Sequence, residues 1–340
     1  MVFHKLPAGP VQSIDLARLL GLGLGLARLG REVEVVAPGA RFGENWMGLP
    51  LAPLSALNRP GRYDAVKTCY HQSIKLLGRC EGPVASRLVR VVDRTSPGRD
   101  DSNRAELLAC QELVRSRASV VILNNHENRK RWIELYGQTP RAELVPTGCP
   151  AEIPCPGPDP YPDKRTRILF LGSIASPDSA GMLNLAARVL AGRARIHFVG
   201  RNKTGMYGRF SPLDPAIIDH GEKGEPVIWD YIRRADLGLA LAVGPDPFDN
   251  DLSKVLYYLR GGLPVLLEKP VLQAGLAREL SFGLAFERAD PHDFLAKFER
   301  LMSGDFRQRR EQVMRLCAER FSWERRAEAL DGILRGIAAG

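Results

Sequence analysis

The sequence alternates short runs rich in β-branched residues with longer amphipathic segments, and it does so in both halves of the chain. This alternation is typical of β–α units stacked on parallel sheets, so it predicts an α/β fold. The predicted strands of the first half are Val33–Ala37, Ala65–Cys69, Arg90–Asp93, Val120–Leu123 and Leu144–Pro146. Those of the second half are Ile168–Leu171, Ile196–Val199, Leu237–Ala242 and Pro264–Leu267.

A proline-rich segment over residues 146–167 separates the two halves. Such a segment cannot continue a helix or a central strand, and 340 residues is long for a single core. We therefore predict two domains whose sheets face each other across a cleft. Their predicted bounds are 1–148 for the N-terminal domain, 149–166 for the linker and 167–322 for the C-terminal domain, followed by a terminal helix over 323–340.

The formal net charge is +9, and most of the excess lies in residues 1–150. This favours an anionic partner for the first half, such as a lipid-phosphate surface or an acidic acceptor, although an arginine-rich composition alone explains it equally well. Because the basic residues are dispersed, nucleic acid is not expected. The apolar stretches are too short to cross a bilayer and no secretory signal is recognisable, so we expect a cytoplasmic protein, with peripheral membrane contact left open. The six scattered cysteines predict neither a zinc site nor a disulfide framework.

The segment GLGLG at residues 21–25 resembles a dinucleotide-binding loop only superficially. Its glycines lie inside the amphipathic pattern of a predicted helix, Ile14–Leu29, instead of between a strand and a helix. We expect close helix packing there, and no nicotinamide cofactor.

Two loops of the second half carry the chemistry of a phosphate site. After the strand Ile168–Leu171 come Gly172 and Ser173, whose backbone N–H groups would meet a phosphate at the carboxyl edge of a sheet, and Arg201 follows the next strand at that edge. A simple turn between strand and helix is the alternative for that loop.

The second loop leads into a short predicted helix. Ser253 is expected to cap a helix that begins at Lys254, a combination that suits a diphosphate. A solvent-facing lysine is the alternative.

The segment 251–265 resembles the donor-binding region of GT-B glycosyltransferases, in particular the group 1 C-terminal domain of family 4-like enzymes. The matching residues are Asp251, Ser253, Lys254, Tyr258, Leu259, Gly261, Gly262, Pro264 and Val265. ILFLGS (168–173), HFVGRN (197–202) and FSW (321–323) resemble further motifs of that family in the same order. The resemblance implies two Rossmann-like domains, with the terminal helix packing back on the N-terminal one. It also implies a nucleotide-diphosphate sugar as co-substrate, most often UDP-linked, held by Gly172, Ser173, Arg201, Asp251, Ser253, Lys254 and Tyr257.

Tyr257 departs from the family pattern, in which many retaining members carry a ribose-binding Glu at this position. A phenol satisfies only one ribose hydroxyl well. An earlier sugar-contacting Glu of the motif would fall near Asp246 to Asp249. Either the chain follows inverting members that lack the Glu, such as the xanthan-pathway glucuronosyltransferase that it also resembles, or donor binding has decayed. We favour the first.

In this architecture the N-terminal domain binds the acceptor and supplies catalytic residues. Inversion needs one carboxylate as general base, and Asp93, at the end of a predicted strand, is the first candidate. Its structural alternative is that it caps a turn or pairs with Arg94 or Arg99. His71 matches the H-x-x-S region of retaining relatives, with a plain structural histidine as the alternative. His126 and Glu127 follow another strand and are predicted to touch acceptor or sugar.

The predicted function is thus a metal-independent, inverting transfer of a sugar to a hydroxyl of a glycan, glycolipid or small-molecule acceptor. Two alternatives stay open. One is a non-catalytic GT-B-like binding protein, and the other is an NDP-sugar epimerase on the same fold.

Overall fold

A computed structural model describes residues 1–93, 104–174, 176–206, 210–244 and 250–339. The chain forms two compact units: unit 1 comprises Met1–Gly148 and Ser322–Gly340, and unit 2 comprises Cys149–Phe321. The six cysteines are free thiols. No helix within the described ranges is long and apolar enough to span a membrane.

The strands, in chain order, are β1 (Val35–Val36), β2 (Asn45–Trp46), β3 (Leu49–Ala52), β4 (Val66–Thr68), β5 (Val84–Arg87), β6 (Val120–Leu123), β7 (Arg141–Leu144), β8 (Arg167–Leu171), β9 (Arg195–Val199), β10 (Ile218–Asp219), β11 (Leu237–Ala240), β12 (Val265–Glu268) and β13 (Gly283–Phe286). The helices are α1 (Ile14–Arg28), α2 (Arg104–Arg117), α3 (His126–Tyr136), α4 (Pro177–Val189), α5 (Ile228–Arg234), α6 (Ser253–Arg260), α7 (Ala274–Glu279), α8 (Pro291–Ser303), α9 (Arg310–Phe321) and α10 (Trp323–Ala338).

The sheet of unit 1 is parallel except for β2, which pairs antiparallel with β3. Val2 bridges to Val36 of β1 on one side and to Thr68 of β4 on the other, so the spatial order is β2-β3-β1-Val2-β4-β5-β6-β7. The chain leaves Val2 towards β1 and returns on its other side at β4. The strand order therefore reverses beside Val2, which makes the carboxyl ends of Val2 and β4 the switch point of unit 1.

Unit 2 contains a parallel six-stranded sheet with the order β10-β9-β8-β11-β12-β13. The chain builds β8, β9 and β10 outward in one direction and then β11, β12 and β13 in the other. The order reverses between β8 and β11, and ligands of open α/β sheets bind at the carboxyl end of such a reversal. The switch point of unit 2 therefore lies just beyond Leu171 and Ala240.

The glycines of GLGLG lie inside α1, where they allow close packing in unit 1. A Cβ added to Gly25 would lie 2.5 Å from the Cβ of Ala327 on α10, and one on Gly21 would lie 2.3 Å from the ring of Trp323. On another face of α1, a Cβ on Gly23 would lie 2.7 Å from Leu49. These contacts confirm the predicted packing role, because any larger side chain would push the neighbouring elements away.

The predicted strand Arg90–Asp93 is wrong. The strand at this place is β5, whose four residues are all buried between β4 and β6. Val91 and Val92 are buried too, but in a loop, and their N–H groups donate to the side chains of Asn128 and Gln111 over 2.7 Å each. These two apolar residues do not form a strand because side chains, not a neighbouring strand, accept the hydrogen bonds of their backbone N–H groups.

Candidate functional site

The switch point of unit 2 is an opening between two strands that one side chain holds in place. β8 and β11 pair at Ile168–Leu237 and Leu169–Gly238. Beyond that pairing, the buried hydroxyl of Tyr258 on α6 lies between them: it accepts a hydrogen bond from the N–H of Leu171 over 2.7 Å and lies 3.1 Å from the carbonyl of Leu169. The phenol thereby replaces ladder hydrogen bonds that the diverging strands have lost.

Gly238 makes this arrangement sterically feasible. A Cβ at position 238 would lie 2.5 Å from the ring of Tyr258, closer than any side chain tolerates. The ring therefore crosses β11 only because that position is glycine. The result is that α6 is fixed with its N-terminal end at the carboxyl edge of β8.

Lys254 lies at this edge. Its ammonium nitrogen is 3.8 Å from the ring centroid of Phe170 in β8 and 3.7 Å from the point where a Cβ of Gly172 would lie. Burial lowers the pKa of Lys254 to about 7, and no carboxylate of the described residues offsets that effect. An ammonium held against an aromatic ring without an anionic neighbour is an electrostatically unsatisfied group, and an anion would stabilise its charged form.

The start of α6 differs by one residue from the prediction. The helix begins at Ser253, preceded by Leu252, which makes no side-chain capping bond. The expected capping role of Ser253 is therefore wrong, because Ser253 is already the first helical residue. The backbone N–H groups of Ser253 and Lys254 belong to the first turn of the helix, which has no intrahelical acceptors for them.

The loop after β8 comes close to the loop after β9. Gly172 has φ 100°, which favours glycine, and its N–H donates to the carbonyl of Val199 over 2.8 Å. The N–H of Gly172, which we expected to meet a phosphate, is thus already used. Ser173 follows it and is exposed, so it is the loop residue that remains available at this edge. Arg201 follows β9; its carbonyl accepts from the N–H of Ile174 over 3.0 Å and the residue is exposed.

Asp251 anchors the segment that precedes α6. Its carboxylate accepts a hydrogen bond from the amide of Gln273, whose oxygen in turn accepts from the N–H of Leu252 over 3.0 Å. The neighbouring Asn250 is fully buried. Its side-chain oxygen accepts from the N–H of Val243 over 2.6 Å, and its amide nitrogen donates to the carbonyl of Gly244 over 2.8 Å. The positions Asp246 to Asp249, considered above for a sugar-contacting carboxylate, lie outside the described residues.

Tyr257 faces a different environment from Lys254, one turn earlier on α6. Its buried ring stacks on Trp229 of α5, with centroids 5.2 Å apart and planes inclined by 14°. Its side chain also interacts with Glu225, a residue of the loop between β10 and α5. Burial raises the pKa of Glu225, and Tyr257 opposes that rise.

The predicted catalytic residues of unit 1 lie on different elements. Asp93 follows β5 by several residues and forms an ion pair with Arg131 of α3 at 2.5 Å, whereas Arg94 and Arg99 lie outside the described part of the chain. His71 begins a 3₁₀ turn after β4 and is 6% exposed; burial lowers its pKa to about 4, so the imidazole is neutral at physiological pH.

The switch point of unit 1 is lined by aromatic rings and an ion pair. The ring of Tyr70 stacks on His4 at 4.5 Å and packs against His71 at 4.2 Å, while Arg87, at the end of β5, pairs with Asp15 at 2.9 Å. His126 and Glu127 lie apart from these residues, exposed in the first turn of α3. Within the described ranges, His, Cys, Asp and Glu side chains nowhere form a group of three suited to a metal ion.

Several solved structures are similar to the chain over nearly its whole length. Sucrose-phosphate synthase from Thermosynechococcus elongatus has a TM-score of 0.76 at 14% identity, covering 99% of this chain and 98% of that one. Anabaena HepE in complex with UDP-glucose has a TM-score of 0.69 at 14% identity, covering 98% and 99%. An α,α-trehalose-phosphate synthase (UDP-forming) from Burkholderia vietnamiensis has a TM-score of 0.64 at 13% identity, covering 99% and 98%.

No protein-family model matches the sequence, and no curated protein is significantly similar to it in sequence. The structural likeness nevertheless shows the fold. It is the GT-B fold of glycosyltransferases, with two Rossmann-like domains, as predicted.

Proposed function

We propose that the protein is a glycosyltransferase that transfers a sugar from a UDP-sugar to a hydroxyl group of an acceptor. The observation that carries the proposal is the position of Lys254, whose ammonium lies at the switch point of unit 2 without a carboxylate partner among the described residues. The structural relatives HepE and trehalose-6-phosphate synthase, solved with UDP-glucose and UDP-2-fluoro-glucose respectively, support the choice of donor.

The proposed chemistry at this edge is stabilisation of a departing diphosphate. The charged Lys254, the first-turn N–H groups of α6 and the loop residue Ser173 would place positive charge where negative charge develops. Arg201 is a further candidate donor to the diphosphate, and Asp251 would act indirectly by anchoring the start of α6. No step of this scheme requires a metal ion, and metal independence stays a prediction.

On the acceptor side we propose Asp93 as the general base, with Arg131 orienting its carboxylate. His71, neutral and buried, is suited to hydrogen-bonding an acceptor hydroxyl and is the alternative general base. His126 and Glu127 are exposed candidates for acceptor contact. The acceptor would be a glycan, a glycolipid or a small molecule, and peripheral contact of unit 1 with anionic lipid stays a prediction.

We further propose inversion at the anomeric centre, because position 257 carries tyrosine where many retaining members carry glutamate. One of the similar structures, trehalose-6-phosphate synthase, comes from a study of glycosyl transfer with retention, so the fold itself does not decide the outcome. The ¹H NMR coupling constant of the newly formed anomeric proton distinguishes the two results.

The experiment that tests the proposal is a panel of UDP-, GDP-, ADP- and dTDP-sugars, scored for thermal stabilisation and for hydrolysis. We expect the UDP-sugars to stabilise the protein most and at least one to be slowly hydrolysed without acceptor. Absence of stabilisation by every nucleotide would favour a non-catalytic binding protein instead. Conversion of the donor to an isomeric sugar nucleotide without acceptor would favour an epimerase.

A further inference from the structure

Glu268 is a buried carboxylate at the carboxyl edge of the unit 2 sheet that the proposed chemistry does not use. It is the last residue of β12 and is fully buried. Its Oε2 atom accepts a hydrogen bond from the backbone N–H of Ala242 over 2.7 Å. Its Oε1 atom lies 3.6 Å from Nη1 of Arg288 and has no hydrogen-bond partner among the described residues. The carboxylate is therefore directed at one backbone group.

The hydrogen bond from Ala242 extends the contact between β11 and β12 past their last backbone pair. The two strands pair as far as Ala240 and Leu267. Ala242 lies two residues beyond that pairing, and its N–H donates to the side chain of Glu268. Its carbonyl accepts from the hydroxyl of Ser179 in α4 over 3.4 Å. Both backbone polar groups of Ala242 are therefore held by side chains.

Ala242 lies at the start of the segment that leads to Lys254. The next residue, Val243, donates its N–H to the side chain of Asn250, which lies at the other end of this segment. The backbone carbonyl of Asn250 in turn accepts from the N–H of Leu272, in the turn that follows β12, over 3.0 Å. These bonds connect Ala242 to the residues just before α6. A displacement of Ala242 would therefore reach the first turn of that helix.

A buried carboxylate is a costly way to hold one N–H group. Burial penalises the charged form and raises the pKa of Glu268, while Arg288 and the Ala242 N–H oppose the rise. A buried ion pair contributes little net stability, because desolvation offsets the attraction. Residues that break the rules of core composition are expected where they serve a functional site. The position of Ala242 is thus the feature that Glu268 is suited to secure.

We propose that Glu268 is a positioning residue of the donor site: its Oε2 atom holds Ala242, and through Asn250 the first turn of α6, where Lys254 meets the diphosphate. This inference rests on the proposed function and adds to it a residue that acts by the reach of its oxygen, not by its charge. Because Glu268 is fully buried, it does not touch the nucleotide itself.

The test separates reach from charge by measuring the affinity for UDP calorimetrically. Glu268→Gln loses the charge but keeps an oxygen in reach of the Ala242 N–H, and the partly exposed Arg288 can turn towards water. Its affinity should stay within about threefold of the wild-type value. Glu268→Asp keeps the charge but is one methylene short. It should weaken UDP about tenfold, because apparent affinity falls with the fraction of molecules in the competent arrangement.

Hydrogen exchange provides a local readout that a uniform loss of stability would not reproduce. The amides of Ala242 and Val243 should exchange faster in Glu268→Asp than in Glu268→Gln, while the amides of β8 stay protected in both. Glu287→Gln and Glu287→Asp are matched controls, because Glu287 forms an exposed ion pair with Lys269 next to the end of β12. They should leave the affinity for UDP unchanged.

Thermal unfolding of each variant confirms that it is folded. If Glu268→Asp binds UDP as tightly as the wild-type chain, or if Glu268→Gln is weakened as much as Glu268→Asp, this inference is overturned while the proposed function stands. If the wild-type chain does not bind UDP, the proposed function itself fails, and the inference with it.

Discussion

Strand order reverses at both switch points of the molecule. The two differ in how the cation at the edge is paired. In unit 1 the cation at the edge, Arg87, is paired with Asp15 and also donates to the carbonyl of Cys69 over 2.9 Å. In unit 2 the cation at the edge, Lys254, lies over the ring of Phe170 with no carboxylate partner among the described residues, and burial lowers its pKa to about 7. A paired arginine stabilises the protein itself, whereas a desolvated lysine stabilises an incoming anion.

The pairing of these two cations is more informative about an anion site than the net charge of each half of the chain. The basic excess of the first half favoured an anionic partner there, yet Arg87 and Arg131 of unit 1 are both engaged with carboxylates of their own unit. The half with nearly balanced charge holds Lys254, which has no such partner among the residues that the structure describes. The placement of one ammonium at a strand reversal is therefore the more informative feature.

The first prediction tests this contrast by replacing Lys254 and Arg87 in separate variants. Lys254→Met should lower turnover by about 10²- to 10³-fold, the scale of losing one charge-stabilising donor. It should also raise the melting temperature by about 2–4 °C, because a partly buried ammonium whose charge is desolvated is replaced by an apolar side chain. Initial rates with a UDP-sugar and calorimetric unfolding measure the two effects.

Arg87→Met is the matched control, and it should lower the melting temperature because Asp15 loses its partner. A Lys254→Met protein that is less stable and fully active would reverse the contrast between the two edges.

The second prediction concerns the catalytic assignment in unit 1. Asp93→Asn should lower turnover by about 10²-fold at unchanged donor affinity, because general-base catalysis is lost. Arg131→Gln should have a smaller effect on turnover, since it only orients the carboxylate. Steady-state kinetics of both variants separate the roles. Equal losses in both would mark the pair as a structural anchor of α3, and unchanged rates would move the base to another residue, with His71 the next to test.

The third prediction concerns the bridge that the Tyr258 hydroxyl forms between the diverging strands β8 and β11. Tyr258→Phe leaves the N–H of Leu171 without its acceptor at the divergence of β8 and β11, so the free energy of unfolding should fall by about 1–3 kcal/mol. Denaturant unfolding measures the change, and hydrogen exchange of the Leu171 amide should accelerate. Tyr257→Phe is the control on the same helix, with a smaller expected loss, because its hydroxyl joins no strands. Equal stability of wild type and Tyr258→Phe would count against the bridging role.

The smallest expected effect is the pH dependence of UDP affinity. The pKa of Lys254 in the free protein is lowered to about 7, and the diphosphate binds the charged form. Affinity is therefore complete below pH 7 and falls as the pH rises through 7, by at most about tenfold per unit. Calorimetry between pH 7 and 9 should show this fall together with proton uptake on binding. A flat profile with no proton uptake would mean that Lys254 is not the group that meets the phosphates.

The sequence predicted the fold and the region of the proposed donor site, because strand and helix patterns and the segment around Lys254 are local signals. The predictions were wrong where contacts between elements distant in sequence determine the local structure. The strand expected at Arg90–Asp93 is a loop because Gln111 and Asn128 satisfy its backbone, and the N–H of Gly172 is taken by Val199. The link between Tyr257 and Glu225 likewise joins two elements whose contact no local pattern reveals.

A crystal structure of the protein with UDP tests whether the carboxyl edge of β8 and β11 binds a nucleoside diphosphate. We expect phosphate oxygens within hydrogen-bonding distance of the Lys254 ammonium and of the Ser173 backbone N–H. UDP bound elsewhere on the molecule, or phosphates out of reach of Lys254, would contradict it.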